Sequence, residues 1–282
     1  MKYPETLALQ CDSLLSSYDE KDVILYALSI GMGQDPLNCS ELPFVYEEAL
    51  RVVPTMNAIL ANGIGKIIAE AGVNYRMLLH GEQRLQVHRP LPPSATITAS
   101  ARCLSVVDKG AGRGALLNIK STVADSCSTD LYASLITTLF CRGDGGFGGP
   151  TEGALAPHEV PARAPDMELH LPTRPDQALI YRLNGDRNPL HCDPEIARLA
   201  GFERPILHGL CTYGFACRAV LQAYCDYDVA RIQAFDVRFA SPLYPGETIV
   251  TRMWKDRQMV SFECSAAERD VTVIRNGRCL LS

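Results

Sequence analysis

The chain has 282 residues, 47% hydrophobic and 21% charged, enough for two small cores or one large one. Its formal net charge of -5 argues against a nucleic-acid partner, because phosphate binding selects a basic excess on the binding domain. Apolar runs such as residues 133–140 fall short of the roughly 20 residues that cross a bilayer, so no membrane insertion is expected.

In chain order, residues 1–5 carry one positive charge and no following apolar stretch, so no secretory signal is expected. Residues 54–72 read as one apolar helix, with proline near its start and glycine at its end. Strands follow at 97–103, where Ile97, Ala99, Ala101 and Cys103 alternate with polar residues, and at 116–125 and 131–141. Residues 143–175 hold so many glycines and prolines that they read as a linker rather than a packed element. The expected division is therefore a first domain at 1–145, a linker at 146–175 and a second domain at 176–282.

The second half repeats the order: a short helical stretch at 176–183, a long apolar helix at 208–224, then strands at 233–240, 248–254, 260–266 and 271–281. An apolar helix followed by antiparallel strands, twice over, predicts an α+β architecture in which each sheet covers its helix. The chain ends Cys279-Leu280-Leu281-Ser282, neither a peroxisomal Ser-Lys-Leu address nor a prenylation box, and a cytoplasmic location is expected.

The eleven cysteines contain no CxxC pair, and Cys211, Cys217 and Cys225 sit in apolar segments, which predicts reduced, buried thiols. No metal is expected, since His191 and Cys192 are adjacent rather than spaced as ligands. The glycine run at 145–149 lacks a following Lys-Ser/Thr, so it reads as a flexible connection rather than a phosphate cradle, and no redox cofactor is implied.

The densest polar cluster is YRLNGDRNPLHCDP at 181–194. Gly185 and Pro189 force a turn that places Asp186, Asn188 and His191 on a short irregular segment. A carboxylate and an imidazole facing one point form a pair able to take a proton from water and return one to carbon. The same residues also suit helix capping and a structural histidine, and Asp193, followed by Pro194 and Glu195, reads as a helix cap. A second cluster, RPILHGLCTYG at 204–214, opens the long helix. Unpaired N–H groups there favour a developing negative oxygen, and Gly209 admits a close carbonyl, although close packing alone also explains that glycine.

These two clusters, with Ala200-Gly201-Phe202 between them, resemble the hydratase-2 motif of the MaoC-like family. The segments at 26–31, 44–47, 79–83, 108–110, 145–149 and 237–240 are similar, in the same order, to the hydratase-2 region of the type 2 peroxisomal multifunctional enzymes. The resemblance implies a double hotdog fold and (R)-specific hydration of a trans-2-enoyl-CoA, running in either direction. It places the catalytic pair on Asp186 and His191, the orienting amide on Asn188 and the oxyanion donor on Gly209. It places contacts to the coenzyme A thioester on His80, Gly81, Lys109 and Phe239. It also implies a homodimer, with coenzyme A as part of the substrate and no cofactor. The first half has no equivalent catalytic loop, so one active site per chain is expected, the first hotdog binding acyl chain and coenzyme. The competing activities of this fold are thioester hydrolysis and a non-catalytic acyl-CoA-binding subunit.

Overall fold

The structure, a computed structural model, describes residues 1–282, the side chain of residue 76 excepted. In chain order the elements are β1 (Gln10–Tyr18), α1 (Glu20–Ser29), α2 (Leu42–Val45), α3 (Asn57–Leu60), α4 (Ile64–Ala71), β2 (Leu78–Val87), β3 (Ala95–Asp108), β4 (Ala115–Asp125) and β5 (Leu131–Cys141). They continue with β6 (Met167–Pro172), α5 (Gln177–Tyr181), α6 (Pro194–Leu199), α7 (Gly209–Tyr224), β7 (Ile232–Phe239), β8 (Thr248–Asp256), β9 (Met259–Ala266) and β10 (Val271–Leu281).

One compact unit holds residues 1–17, 60–89 and 96–157. Its strands run in the order β1-β3-β4-β5-β2, and the pairings Val106↔Leu117 and Leu117↔Leu139 line up branched residues across three of them. Ile67 and Ala71 of α4 pack into the cluster formed by Leu117, Ile119 and Leu139. Each large aliphatic side chain buried there contributes about 1.5–3 kcal/mol. In β2 the pairing slips between His80 and Glu82, opposite Leu139 and Thr138, which makes Gly81 the extra residue of a bulge. A Cβ on Gly81 would lie 3.2 Å from the Thr138 carbonyl oxygen, so glycine keeps the bulge tight.

The expected single helix at 54–72 is broken. Gly63 lies at φ +101° and separates α3 from α4, because an Asn-Gly pair is a turn signal and a left-handed residue ends a helix. The glycine run is not a loose connection either. Asp108, at the end of β3, accepts backbone N–H bonds from Gly110 (2.8 Å), Gly146 (2.7 Å), Gly148 (2.9 Å) and Gly149 (3.4 Å). These donors, Gly146 foremost, hold the carboxyl below the usual carboxylate range. A Cβ on Gly145 would meet the Gly110 carbonyl oxygen at 2.6 Å, so the glycines are needed for this close approach.

The second unit holds residues 18–59, 90–95 and 158–282, with strand order β7-β10-β9-β8-β6. Part of the expected linker is thus a strand: β6 pairs antiparallel with β8 from Met167↔Met253 to Pro172↔Thr248. Met167, Leu169 and Leu171 alternate with Glu168 and His170, and Pro172 falls at the end of an edge strand, where a missing N–H costs little. The division at 145 and 175 does not coincide with these units, because residues 18–59 pack with the second.

The reason lies around α7, which rests against β6, β7, β8 and β10 and is buried at every residue from Cys211 to Leu221. A helix apolar on all sides needs cover on the face its sheet leaves open. Residues after α1 supply it: Ile30 packs so close to Gly214 that a Cβ there would stand 2.4 Å from its Cγ2. The one arginine in that buried stretch, Arg218, meets Glu41 in a two-bonded pair at 2.7 and 3.1 Å. All eleven cysteines are free thiols.

Candidate active site

The site is built on the segment between α5 and α7, inside the second unit. After α5 a 3-10 turn (Arg182–Asn184) ends at Gly185, whose φ of +117° reverses the chain. Asp186 follows, and its carboxylate accepts the Asn188 N–H at 3.1 Å. Asn188 in turn caps the next 3-10 turn, Pro189–His191, its side-chain oxygen accepting the Leu190 N–H at 3.1 Å. Two short polar side chains thus satisfy the backbone donors of the bend and aim His191 inward. Asp193 caps α6 through the N–H groups of Glu195 and Ile196, as expected.

His191 is 9% exposed, and its Nδ1 lies 2.8 Å from the Ile206 carbonyl oxygen. A carbonyl only accepts, so Nδ1 carries the hydrogen and the neutral ring keeps Nε2 as an acceptor. Burial pushes the pKa of this imidazole below its ordinary value, which keeps that neutral form populated. A carboxylate oxygen of Asp186 and one nitrogen each of His191 and His208 lie within 4.8 Å of one another. Asp186 is itself exposed, so the pair combines a wetted carboxylate with a dry imidazole.

His208 was not singled out from the sequence, although the Leu-His-Gly step just before a helix start is the signal that marks it. Its ring stacks on His191 with centroids 3.7 Å apart and planes at 27°. Stacked imidazoles set their in-plane lone pairs side by side rather than converging, a poor cage for an ion.

Gly209 begins α7, and no side chain caps that helix; the Cys211 and Thr212 N–H groups bond the His208 carbonyl oxygen, and the helix start lies at the positive end of the dipole. A Cβ on Gly209 would lie 3.3 Å from Cε1 of Phe239, tighter than ordinary contact. The packing reading of this glycine holds locally: it lets Phe239, the last residue of β7, pack against the helix start. The structure thus brings together Asp186, Asn188, His191, Gly209 and Phe239. His80, Gly81 and Lys109 belong to the first unit. His80 and Gly81 flank the β2 bulge, and Lys109 is exposed at the turn after β3, with Nζ 5.2 Å from the Phe140 ring centroid.

An antiparallel unit packed on a long buried helix, with an Asp-Asn-His bend beside the helix start, is a hotdog arrangement. The profile of the MaoC like domain matches residues 157–276, and that of the MFE-2 hydratase 2 N-terminal domain matches residues 16–143. The enoyl-CoA hydratase ChsH3 of Mycobacterium tuberculosis is 38% identical over 276 residues, 96% of this chain and 95% of that protein. A MaoC-like dehydratase from Phytophthora capsici superposes with a TM-score of 0.88 at 34% identity, covering 100% of this chain and 98% of that one. A Mycobacterium tuberculosis protein described as a double hotdog fold superposes at a TM-score of 0.59 with 14% identity, over 98% of this chain and 96% of that one. The chain belongs to the MaoC-like hydratase 2 family and has its double hotdog fold.

Proposed function

We propose that the chain is an (R)-specific enoyl-CoA hydratase, a hydro-lyase that reversibly adds water to trans-2-enoyl-CoA, giving (3R)-3-hydroxyacyl-CoA during β-oxidation of fatty acids or steroid side chains. The observation that carries this reading is the bend that sets the Asp186 carboxylate beside a neutral His191 with Nε2 open as a proton acceptor. Water held by this pair loses a proton as its oxygen bonds to C3. The alkene electrons shift toward C2 and the thioester oxygen, where the Gly209 N–H faces the developing charge. The pair then returns one proton to C2 on the same face, so atoms and charge balance. An oxyanion donor of this kind is worth about 2.7–4 kcal/mol of barrier. Asn188 serves by holding the bend that orients both groups.

His80, Gly81, Lys109 and Phe239 are assigned to substrate contacts, with Lys109 reaching a coenzyme phosphate as a flexible point charge. The first hotdog binds acyl chain and coenzyme and carries no catalytic loop. No cofactor enters the chemistry. The working form is a homodimer, as the resemblance to the family implies. No helix among the described residues is long and apolar enough to cross a membrane. The location we propose is the cytoplasm.

The test is incubation of the pure protein with crotonyl-CoA and a longer enoyl-CoA, with and without EDTA, following enoyl absorbance against free thiol. Loss of enoyl absorbance with no thiol released, unchanged by EDTA, is expected. Thiol release would establish a thioesterase instead, and neither signal would establish a binding subunit.

A further inference from the structure

His208 touches each part of the proposed machinery at once. Its ring lies face to face with His191 at 3.7 Å, and on its other contact Tyr181 stands 4.9 Å away. Its Nε2 lies 3.2 Å from the backbone carbonyl oxygen of Asp186, so that nitrogen carries the hydrogen and donates it. Its own carbonyl oxygen accepts the N–H groups of Cys211 and Thr212 in the first turn of α7, and Gly209 is the next residue. The side chain is 1% exposed. A phenylalanine would pack as well but hold no carbonyl, and a glutamine would hold the carbonyl but stack on nothing.

We infer that His208 is a positioning residue that locks the acid/base bend to the start of α7, fixing the His191 ring by stacking and the Asp186 backbone by hydrogen bonding. The inference rests on the reading of Asp186 and His191 as the proton-handling pair. The lock works with a neutral ring, since a positive charge on His208 would oppose the proton that His191 takes up during turnover. The groups facing it are Tyr181 and Arg182 from α5 and the turn after it, Asp186 and His191 from the bend. Burial, with His191 next in weight, pushes its pKa down to about 4, so the ring is neutral throughout the working range.

His208→Phe and His208→Gln separate the two contacts. Each is expected to lower kcat by roughly ten- to a hundredfold, the scale of a small misplacement of reacting groups, while KM changes less than about twofold. His208→Gln also lets water reach His191, so the acid limb of its kcat/KM profile moves up in pH. His208→Phe keeps the ring dry and leaves that limb in place. Asp186→Asn runs alongside. If it is inactive while both His208 variants keep more than about half of wild-type kcat and its pH profile, the positioning role is wrong and the hydratase reading stands. If Asp186→Asn stays active, the assignment of Asp186 and His191 as the proton-handling pair fails, and the positioning role with it. If a His208 variant does not fold, ¹⁵N imidazole spectra of the wild type decide. A neutral Nε2–H ring for His208 down to pH 5 supports the lock. An Nδ1–H ring, or a charge gained near pH 6.5, overturns it.

Discussion

Glu41, outside the site, gathers four hydrogen bonds from within the second unit. Its carboxylate takes Arg218 Nε at 2.7 Å and the second guanidinium nitrogen at 3.1 Å, together with the Tyr227 hydroxyl at 3.2 Å and the Gly33 N–H at 2.8 Å. The two charged side chains are 0% and 6% exposed. Glu41→Ala leaves the guanidinium buried without a counter-charge, which costs about 3–5 kcal/mol. The stranded Gly33 and Tyr227 donors add about 1 kcal/mol or more each, so the total lies at or somewhat above that upper end. Against a typical stability of about 5–15 kcal/mol this is a third or more of the whole.

Urea unfolding reads the loss directly, because the single tryptophan, Trp254, is buried in β8 of the same unit. A lower midpoint at unchanged slope is expected. The apolar double variant Glu41→Leu with Arg218→Met should be more stable than either single change, since no charge is left stranded. A Glu41→Ala midpoint within about 1 kcal/mol of wild type would refute the reasoning.

Three further outcomes follow from the site. His191→Ala and Asp186→Asn, each shown by circular dichroism to be folded, should lose about 10²–10⁴ of kcat, and either one keeping more than about a tenth would remove that residue from the pair. Lys109→Ala should raise KM about fivefold at low salt, less at high salt, with kcat nearly unchanged, since phosphates keep their charge through the reaction. A loss wholly in kcat would show that Lys109 is no coenzyme contact. Stability should fall on acidification. His191 and His208 have folded pKa values below the unfolded 6.5, so the unfolded chain binds protons first, and stability is lost as pH drops from about 6.5 toward the His208 value of about 4. Urea midpoints taken between pH 7 and 4.5 should decline, less steeply in His208→Phe, and identical slopes would contradict the assignment.

The bend proposed as catalytic was legible because its chemistry is local. Gly185, Asp186, Asn188 and Pro189 write the turn and both caps within five residues, and Asp193-Pro194 writes the next helix. The long helix and the strands after it were equally readable from period and composition. What could not be read depended on contacts distant in sequence. The buried role of Glu41 is set by Arg218, 177 positions away, and that of Asp108 by glycines about 40 positions on. The strand at Met167–Pro172 was masked by prolines around a clear alternation, and His208 gains its meaning only when the Asp186 carbonyl and the His191 ring are placed around it.

Stereochemistry tests the central claim most directly. One fixed Asp-His bend beside one helix start offers water to a single face of the alkene. Product from crotonyl-CoA, passed to stereospecific 3-hydroxyacyl-CoA dehydrogenases, should reduce nicotinamide only with the (R)-specific enzyme, and Asp186→Asn should yield nothing in either arm. Reduction with the (S)-specific enzyme, or equal reduction with both, would contradict the account.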